Sequence, residues 1–392
     1  MSTRSAARSF GLWTGVAAGC AALGAIVVGG LGIAVARRVV TPAARPESRA
    51  TIHEIDRAGG RIRAWLSGPD GDLPGRYSFI FDDGAGHARL GPVLARRGGS
   101  VAREVVGVDR GTLREGVRGR ITGWWYVDPS ELGYRVERVA FPVEGGEAEA
   151  WLVHPRRAKK GRWAVHVHGR GALPEEAIRG VAPFARAGVT SLVISYRNDP
   201  GAPRGTHGRY GLGLAESRDV DAAIAEAERR GATRVTLFGW SMGGTACLLS
   251  AAHGEHRRLV DGLVLDSPAL DWEPLLRHQA TLSRVPRPVA RAGVEMLGRG
   301  VVRAGEPGGL DFERLSAERF ARDLRVPVLV HASEGDTFVP PEGAVRFAAA
   351  RPRFVQLRLQ RQGEHVRLWN VDPEGWEDAT ETFVRALPRQ GA

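Results

Sequence analysis

The chain has 392 residues, of which 43% are hydrophobic and 25% charged, a balance that excludes an intrinsically disordered protein and allows one large domain with attachments. The 55 Lys and Arg residues exceed the 44 Asp and Glu residues, so the net charge is +11. Because the basic residues are nearly all Arg, scattered along the chain with acids between them, we predict that they form a solvated surface and that the protein has no nucleic-acid partner. A loose attraction to anionic lipid headgroups is the alternative. Two cysteines exclude a disulfide framework, and no zinc-type Cys/His spacing is present.

The first predicted element is a membrane anchor helix. After a flank of residues 1–10, the 26 residues from Gly11 to Ala36 carry no charge. As a helix they would reach roughly 39 Å, enough to cross a hydrocarbon core of about 30 Å. A cleaved signal peptide and a lipoprotein site at Cys20 are the alternatives, but the apolar run is too long for the first and continues past the cysteine. The arginines on either side leave the orientation in the membrane open.

Residues 37–50 predict a polar, proline-containing tether, and residues 51–130 predict a small β-rich accessory region. Its strand-like runs are residues 51–55, 61–66, 77–81 and 122–127. Asp82, Asp83 and His87 are conceivable metal ligands, but an Asp-Asp-Gly sequence directly after a strand favours a simple turn. We therefore predict no metal.

From residue 131 to residue 392 apolar strands alternate with helices, which predicts a mostly parallel sheet covered by helices on both faces. The predicted strands are residues 134–141, 147–153, 163–168, 191–196, 234–238, 259–265, 326–331 and 354–359. The predicted helices are residues 175–187, 214–230 and a third that ends near residue 253. The segment of about 268–323 is too long for a plain connection between strands, so it predicts a helical cap.

The sequence Phe-Gly-Trp-Ser-Met-Gly-Gly at residues 238–244 contains a candidate nucleophile, Ser241. A bare G-x-S-x-G pattern would occur by chance about 0.3 times in a chain this rich in glycine, so the pattern alone decides little. Here it follows a strand and opens a helix, and Gly239 and Gly243 permit the tight turn that exposes a serine hydroxyl. The start of the helix also favours developing negative charge.

A serine nucleophile needs a base and an acid that orients the base. Asp336 and His365 each lie in a loop after a predicted strand, 95 residues beyond Ser241 and a further 29 residues along the chain. The order serine, acid, histidine is the one expected at the edge of such a sheet. Asp266, which follows the strand after the nucleophile, is an alternative acid, whereas Glu364 is too close to His365 in sequence to orient it easily.

The negative oxygen formed during acyl transfer needs two hydrogen-bond donors. The backbone N–H of Met242 is one candidate, and the glycine-rich turn after the strand at 163–168 offers the other. In that turn Arg170 N–H is preferred and Gly169 N–H is the alternative. We expect His168 to stabilise this loop rather than to act as the base.

These residues together resemble the α/β-hydrolase superfamily, in particular its peptidase-S9-like and dienelactone-hydrolase-like serine hydrolases. The resemblance covers about residues 132–387 and rests on the segments HGRGA, SYRNDPGAP, YGLG, GWSMGG, LDSPALDW, EGDTFVP and GEHVRLWN. It implies an α/β-hydrolase fold that hydrolyses an ester, thioester or amide through an acyl-serine intermediate, without a cofactor. It implies nothing about residues 51–130.

We therefore expect a membrane-anchored serine esterase. Peptidase or acyltransferase chemistry at the same site, and a non-catalytic binding protein of this fold, are the alternatives. Arg170 and Arg197 border the predicted site and could attract a substrate carboxylate, although solvation or a structural ion pair is the favoured role for each. Apolar cap residues could line an acyl pocket or pack against the core: Leu275, Leu276, Leu282, Val285, Val289 and Met296.

Overall fold

A computed structural model describes residues 26–42 and 47–388 of the chain. These residues form a helix, α1 (26–40), followed by a six-stranded antiparallel barrel and an eight-stranded mixed sheet with helices. Residues 11–25 of the predicted anchor lie outside the described ranges. Among the helices that the model does describe, none combines the length and apolar character needed to cross a bilayer.

The N-terminal β-rich region is a closed barrel, in the order β1-β2-β5-β4-β3-β6. Its strands are β1 (Ala50–Ala58), β2 (Arg61–Ser67), β3 (Tyr77–Phe81), β4 (Gly86–Arg97), β5 (Ser100–Arg110) and β6 (Arg118–Thr122). Inward-facing aromatic and aliphatic side chains, including Phe79, Phe81 and Leu90, fill its interior. The predicted β-rich composition of this region is thus confirmed.

Two details of the barrel differ from the sequence prediction. The long strands β4 and β5 were not predicted, because their pairing contains several bulges that break the alternation of apolar and polar residues. The predicted strand at 122–127 is wrong, since β6 ends at Thr122. Beyond it the chain leaves the barrel, and the Gly123 carbonyl accepts a hydrogen bond from Asn370 Nδ2 at 2.9 Å instead of pairing with a strand.

The Asp-Asp-Gly sequence after β3 forms the short 3₁₀ turn Asp82–Gly84. His87 is buried in the barrel, where its Nε2 pairs with Ser78 Oγ at 2.7 Å. In the part of the chain that the model describes, no cluster of three or more His, Cys, Asp or Glu side chains is placed to hold a metal ion.

The second sheet has the order β14-β13-β12-β11-β9-β10-β8-β7. Its strands are β7 (Arg135–Val143), β8 (Gly146–His154), β9 (Arg162–Val167), β10 (Thr190–Ile194), β11 (Arg234–Trp240), β12 (Val260–Asp266), β13 (Val328–Ser333) and β14 (Val355–Gln360). Strands β9 to β14 are mutually parallel, and the hairpin β7–β8 adds an antiparallel edge. The predicted mostly parallel sheet is confirmed.

Helices cover both faces of this sheet. They are α2 (Val181–Arg186), α3 (Glu216–Arg229), α4 (Met242–His253), α5 (Trp272–Leu282), α6 (Arg287–Gly298), α7 (Ala317–Asp323), α8 (Glu342–Ala350), α9 (Leu368–Val371) and α10 (Pro373–Ala386). One core contains Ile224 of α3 and Leu248 of α4, and the opposite core contains Phe184 of α2 and Trp376 of α10. The segment predicted as a cap supplies α5, α6 and α7 between β12 and β13.

The predicted helix at 175–187 is only partly α-helical. Its first part, Pro174–Gly180, is 3₁₀ and α2 follows. Gly180 lies directly against the Phe238 ring, and a Cβ at this position would come within 1.9 Å of a ring carbon. The close contact with β11 therefore leaves no room for a side chain at residue 180.

Helix α1 packs against the α/β domain, which contradicts part of the predicted tether at 37–50. Residues 37–40 are helical, Val40 is buried, and the Val40 carbonyl accepts a hydrogen bond from the Tyr210 N–H at 2.8 Å. Gly32 faces α6, where a Cβ would lie 3.1 Å from the Ala292 Cβ. Val39 and Val40 pack against the core of the α/β domain, and the helix therefore continues past Arg37 and Arg38.

Candidate active site

Ser241 lies between β11 and α4 in a backbone conformation that ordinary residues avoid, with φ 50° and ψ −116°. Two glycines make this turn sterically possible. A Cβ on Gly239 would come within 2.6 Å of the Gly243 carbonyl oxygen, and one on Gly243 would come within 2.4 Å of the Val167 oxygen. The turn therefore places the Ser241 hydroxyl at the carboxyl edge of the sheet.

The structure brings Ser241, His365 and Asp336 into one hydrogen-bonded chain. His365 Nε2 lies 2.9 Å from Ser241 Oγ, and His365 Nδ1 lies 2.8 Å from Asp336 Oδ2. A carboxylate opposite Nδ1 favours the tautomer with its proton on Nδ1, which leaves Nε2 free to accept from the serine hydroxyl. Asp336 follows β13, and His365 follows β14.

The buried Asp336 is held rigidly. Its Oδ1 accepts hydrogen bonds from the backbone N–H groups of Phe338 and Val339, at 3.0 and 2.8 Å. Both bonds come from the loop that follows Asp336 itself. The second carboxylate oxygen is thereby directed at His365.

Asp266, the alternative acid, occupies a different place. Its Oδ2 accepts from Trp376 Nε1 at 2.7 Å and its Oδ1 accepts from Ser267 Oγ at 3.0 Å, with no hydrogen bond to His365 among the described residues. Complete burial raises the pKa of Asp266 to about 7. Ser267 Oγ in turn accepts from the N–H of Val366, so Asp266 contacts the histidine loop only indirectly.

Glu364, the other carboxylate near His365, turns away from it. Its Oε2 accepts from Thr337 Oγ1 at 2.9 Å and from the Thr337 N–H at 3.3 Å. It therefore connects the loop after β14 to the loop after β13.

Two backbone N–H groups next to Ser241 are available to an incoming oxygen. Met242 is the first residue of α4, where an N–H has no acceptor within the helix. Arg170 N–H forms no hydrogen bond within the described residues. By contrast, Gly169 N–H is occupied, because it donates to the Glu176 carboxylate at 2.7 Å. Of the two candidate donors in this turn, the Arg170 N–H is therefore free to bind a substrate oxygen and the Gly169 N–H is not.

A buried network holds the turn that contains Gly169 and Arg170. His168 Nε2 pairs with Asp199 Oδ2 at 2.8 Å, its Nδ1 lies 3.0 Å from the Gly169 oxygen, and its ring stacks on Tyr196. Burial is the largest influence and opposes protonation of His168, but the Asp199 and Glu176 carboxylates and the Gly169 carbonyl together outweigh burial and raise the pKa of His168. His168 is thus part of the loop's support and does not contact Ser241.

Glu176, Tyr196 and Asp199 did not emerge from the sequence as site residues. Each supports the turn through a hydrogen bond: Tyr196 Oη donates to the Gly169 oxygen at 2.9 Å, and the Tyr196 N–H donates to Asp199. The sequence signals were that Tyr196 ends a predicted strand and Asp199 follows it, both within the segment SYRNDPGAP that contributes to the family resemblance.

Arg197 does not face the site. Its guanidinium and backbone N–H pair with the buried carboxylate of Asp219, at 2.7 to 2.9 Å. Arg197 therefore makes a structural ion pair, the role that the sequence favoured for it.

A small cavity of about 100 Å³ surrounds Ser241 and His365. Apolar side chains from the loops and from α5 line much of it, namely Trp272, Leu275, Phe338, Val339 and Val366. Of the six apolar residues considered for an acyl pocket, Leu275 lines this cavity. Leu276, Leu282 and Val285 line an adjoining groove of about 1140 Å³, whereas Val289 is buried and Met296 packs against the core.

Comparisons with known proteins agree with this architecture. Residues 51–122, which coincide with the barrel, match a family described as a domain of unknown function, DUF8805. No curated protein matches the chain in sequence. Two crystal forms of the Pyrococcus furiosus esterase Pf2001 are 15% and 16% identical, with TM-scores of 0.51 and 0.52; they cover 66% of this chain and 96% and 93% of their own.

Est1E from Butyrivibrio proteoclasticus is 19% identical, with a TM-score of 0.49 over 63% of this chain and 96% of its own. At this level of identity the likeness to the Pyrococcus furiosus structures shows the fold. The chain has an α/β-hydrolase-like domain, preceded by a β-barrel.

Proposed function

We propose that the protein is a membrane-tethered serine hydrolase that cleaves ester bonds. The observation that carries the proposal is the unbroken hydrogen-bonded chain from Ser241 Oγ through His365 to Asp336. An α/β-hydrolase-like domain, a strained turn at the serine and two available N–H donors support it further. The two crystal forms that share the fold are of one protein that is named as an esterase, which favours esters among acyl substrates.

The reaction follows from this geometry. His365 Nε2 takes the proton of Ser241 as the serine oxygen attacks the ester carbonyl carbon. The carbonyl oxygen becomes negatively charged between the N–H groups of Met242 and Arg170, which stabilise it. When the carbon–oxygen bond of the ester breaks, protonated His365 gives its proton to the departing alcohol. Asp336 stabilises the positive charge on the imidazole during this step.

An acyl-Ser241 intermediate remains after the alcohol has left. His365, again neutral, removes a proton from a water molecule as the water oxygen attacks the acyl carbon. Collapse of the second tetrahedral intermediate returns the proton to Ser241 and releases a carboxylic acid. The cycle needs no cofactor.

The experiment that tests this function is labelling with a fluorophosphonate, which reacts with activated serines. The wild-type protein should become labelled and Ser241→Ala should not, while Ser130→Ala, a change at an exposed serine of the connecting loop, should label normally. Ester turnover should follow the same pattern, with a loss of at least about 10³-fold in Ser241→Ala. Labelling of the Ser241→Ala protein, or a folded wild type that neither labels nor turns over an activated ester, would contradict the proposal.

A further inference from the structure

The side chain of Arg170 lies at the boundary between the catalytic cavity and the larger groove. It lines the cavity together with Ser241 and His365, and it lines the groove together with residues of α1 and α5. It is the one Lys or Arg among the described residues that line the catalytic cavity. A substrate that extends from the groove to Ser241 would therefore lie beside Arg170.

Arg170 has no carboxylate partner. Its Nη1 donates to the Val39 carbonyl at 3.1 Å, and no Asp or Glu of residues 26–42 and 47–388 forms an ion pair with it. The remaining residues, 1–25, 43–46 and 389–392, contain neither Asp nor Glu. Partial burial without an acid is unfavourable for a cation and lowers the pKa of Arg170.

Other arginines near the site have partners. Arg197 pairs with Asp219, and Arg367 pairs with Asp70 at 2.7 Å. The buried Arg179 donates to the side-chain oxygen of Asn370 and to the Val366 carbonyl. Arg170 differs from these three because it lines both the cavity and the groove.

The groove beyond Arg170 is also positively charged. Its two acids are already neutralised, since Glu47 pairs with Arg49 and Asp70 pairs with Arg367. Three further lining arginines form no ion pair with the described acids: Arg37, Arg38 and Arg120. A guanidinium binds carboxylates and phosphates through paired, charge-assisted hydrogen bonds.

We propose that the substrate is an ester that carries an anionic group, a carboxylate or a phosphate, and that Arg170 is the specificity residue that holds this group while the ester carbonyl reaches Ser241. The apolar side chains of Leu275 and Phe338, which line the same cavity, fit the uncharged part of such an ester. This inference rests on the proposed function, and it adds the substrate class. The competing role for Arg170 is structural, through its single bond to Val39.

The test compares matched charged and neutral esters, using the full chain in detergent. The carboxylate pair is 4-nitrophenyl hydrogen glutarate against 4-nitrophenyl pentanoate, and the phosphate pair is 2-(butanoyloxy)ethyl phosphate against 2-methoxyethyl butanoate. The measured quantity is the ratio of kcat/KM for the charged ester to that for the neutral one. Because each ratio is compared between variants, differences in intrinsic reactivity cancel.

Arg170→Gln keeps a donor for Val39 but removes the charge, and Arg170→Lys keeps the charge. We expect Arg170→Gln to lower the ratio at least about tenfold for one of the two pairs, and Arg170→Lys to restore part of it. The pair that responds identifies the anion. Arg156→Gln, which removes an exposed charge from the β8–β9 loop at the opposite edge of the sheet, should keep the wild-type ratio.

A ratio that is the same in wild type and Arg170→Gln would overturn the inference and assign Arg170 a structural role. A second measurement tests anion binding independently of ester hydrolysis. Titration calorimetry with hexyl phosphate and with hexanoate should show binding to wild type that weakens at least about tenfold in Arg170→Gln. If no ester is hydrolysed but anion binding depends on Arg170, the proposed function is wrong and the anion site is supported. If neither anion binds in an Arg170-dependent manner, the anion site is wrong.

Discussion

Two buried carboxylates lie near His365, and their surroundings suit them to different tasks. Asp336 receives two backbone N–H bonds on one oxygen and directs the other at His365 Nδ1. Asp266 is enclosed by Trp376 and Ser267, and burial raises its pKa to about 7. A carboxyl group that is only partly ionised at neutral pH is a poor partner for a histidine that must become positively charged.

We expect Asp336→Asn to lower kcat about 10³- to 10⁴-fold, because an amide N–H opposite Nδ1 favours the tautomer that cannot accept the serine proton. Asp266→Asn keeps an acceptor for Trp376 and should cause a much smaller loss. Steady-state kinetics on an activated ester, with circular dichroism to confirm folding, would measure both. The reverse order of effects would identify Asp266 as the acid and contradict the role proposed for Asp336.

At the scale of elements, the barrel is joined to the loop that carries His365. Asn370, in the short helix α9, donates from Nδ2 to the carbonyls of Arg76 and Gly123 at 2.7 and 2.9 Å. Its Oδ1 accepts from Arg179, which also donates to the Val366 carbonyl. A single amide side chain therefore connects the barrel, the helical layer and the residue next to His365.

Asn370→Ala removes three hydrogen bonds and leaves buried polar groups without partners. We expect a decrease of about 2–3 kcal/mol in the free energy of unfolding, measured by urea denaturation. The kcat for an activated ester should also fall, because the His365 loop keeps only the Arg76 N–H bond to the residue 370 carbonyl and the Arg367–Asp70 ion pair as attachments to the barrel. Gln362→Ala, at an exposed position of the same loop, serves as the control and should change stability by less than about 0.5 kcal/mol. Equal stability of the two variants would show that the barrel contact does not hold the loop.

At the scale of the whole molecule, α1 contains the last residues of the proposed anchor and packs against the α/β domain. Ala36 and Val40 are buried against that domain, whereas Ile26, Val27 and Leu31 expose their apolar side chains. If residues 32–36 belong to the domain contact, residues 11–31 are left for the membrane. As a helix these 21 residues would reach roughly 32 Å, still enough for a core of about 30 Å.

The anchor is tested by placing charges within the uncharged run. We expect the wild type to stay with membranes after a carbonate wash and the double variant Val16→Arg/Leu23→Arg to appear in the supernatant, since each central arginine costs about 2.5–3.5 kcal/mol on insertion. Ser5→Arg together with Ser9→Arg adds the same charge within the flank and should leave the protein with the membranes. Immunoblots of both fractions would report the distribution. Wild type recovered in the supernatant would contradict the anchor.

The sequence alone determined the parallel sheet. The strands of the α/β region are short and apolar, and the segments between them show the periodicity of helices. Both features can be recognised from neighbouring residues. It also predicted that Ser241, Asp336 and His365 meet, since each follows a strand of the same sheet and the carboxyl ends of parallel strands share one edge. The glycines around Ser241 indicate a tight turn from local steric reasons alone, without any residue far away in the chain.

Only the tertiary structure decided the features that depend on residues far apart in the chain. The strands β4 and β5 exist because neighbouring strands pair with them across several bulges, and residues 37–40 are helical because the domain buries Val40. Glu176 occupies the N–H of Gly169, and no acid of the described residues forms an ion pair with Arg170, although the chain has 44 Asp and Glu residues. Burial, hydrogen-bond pairing and missing charge partners are properties of positions in space, so a linear pattern does not contain them.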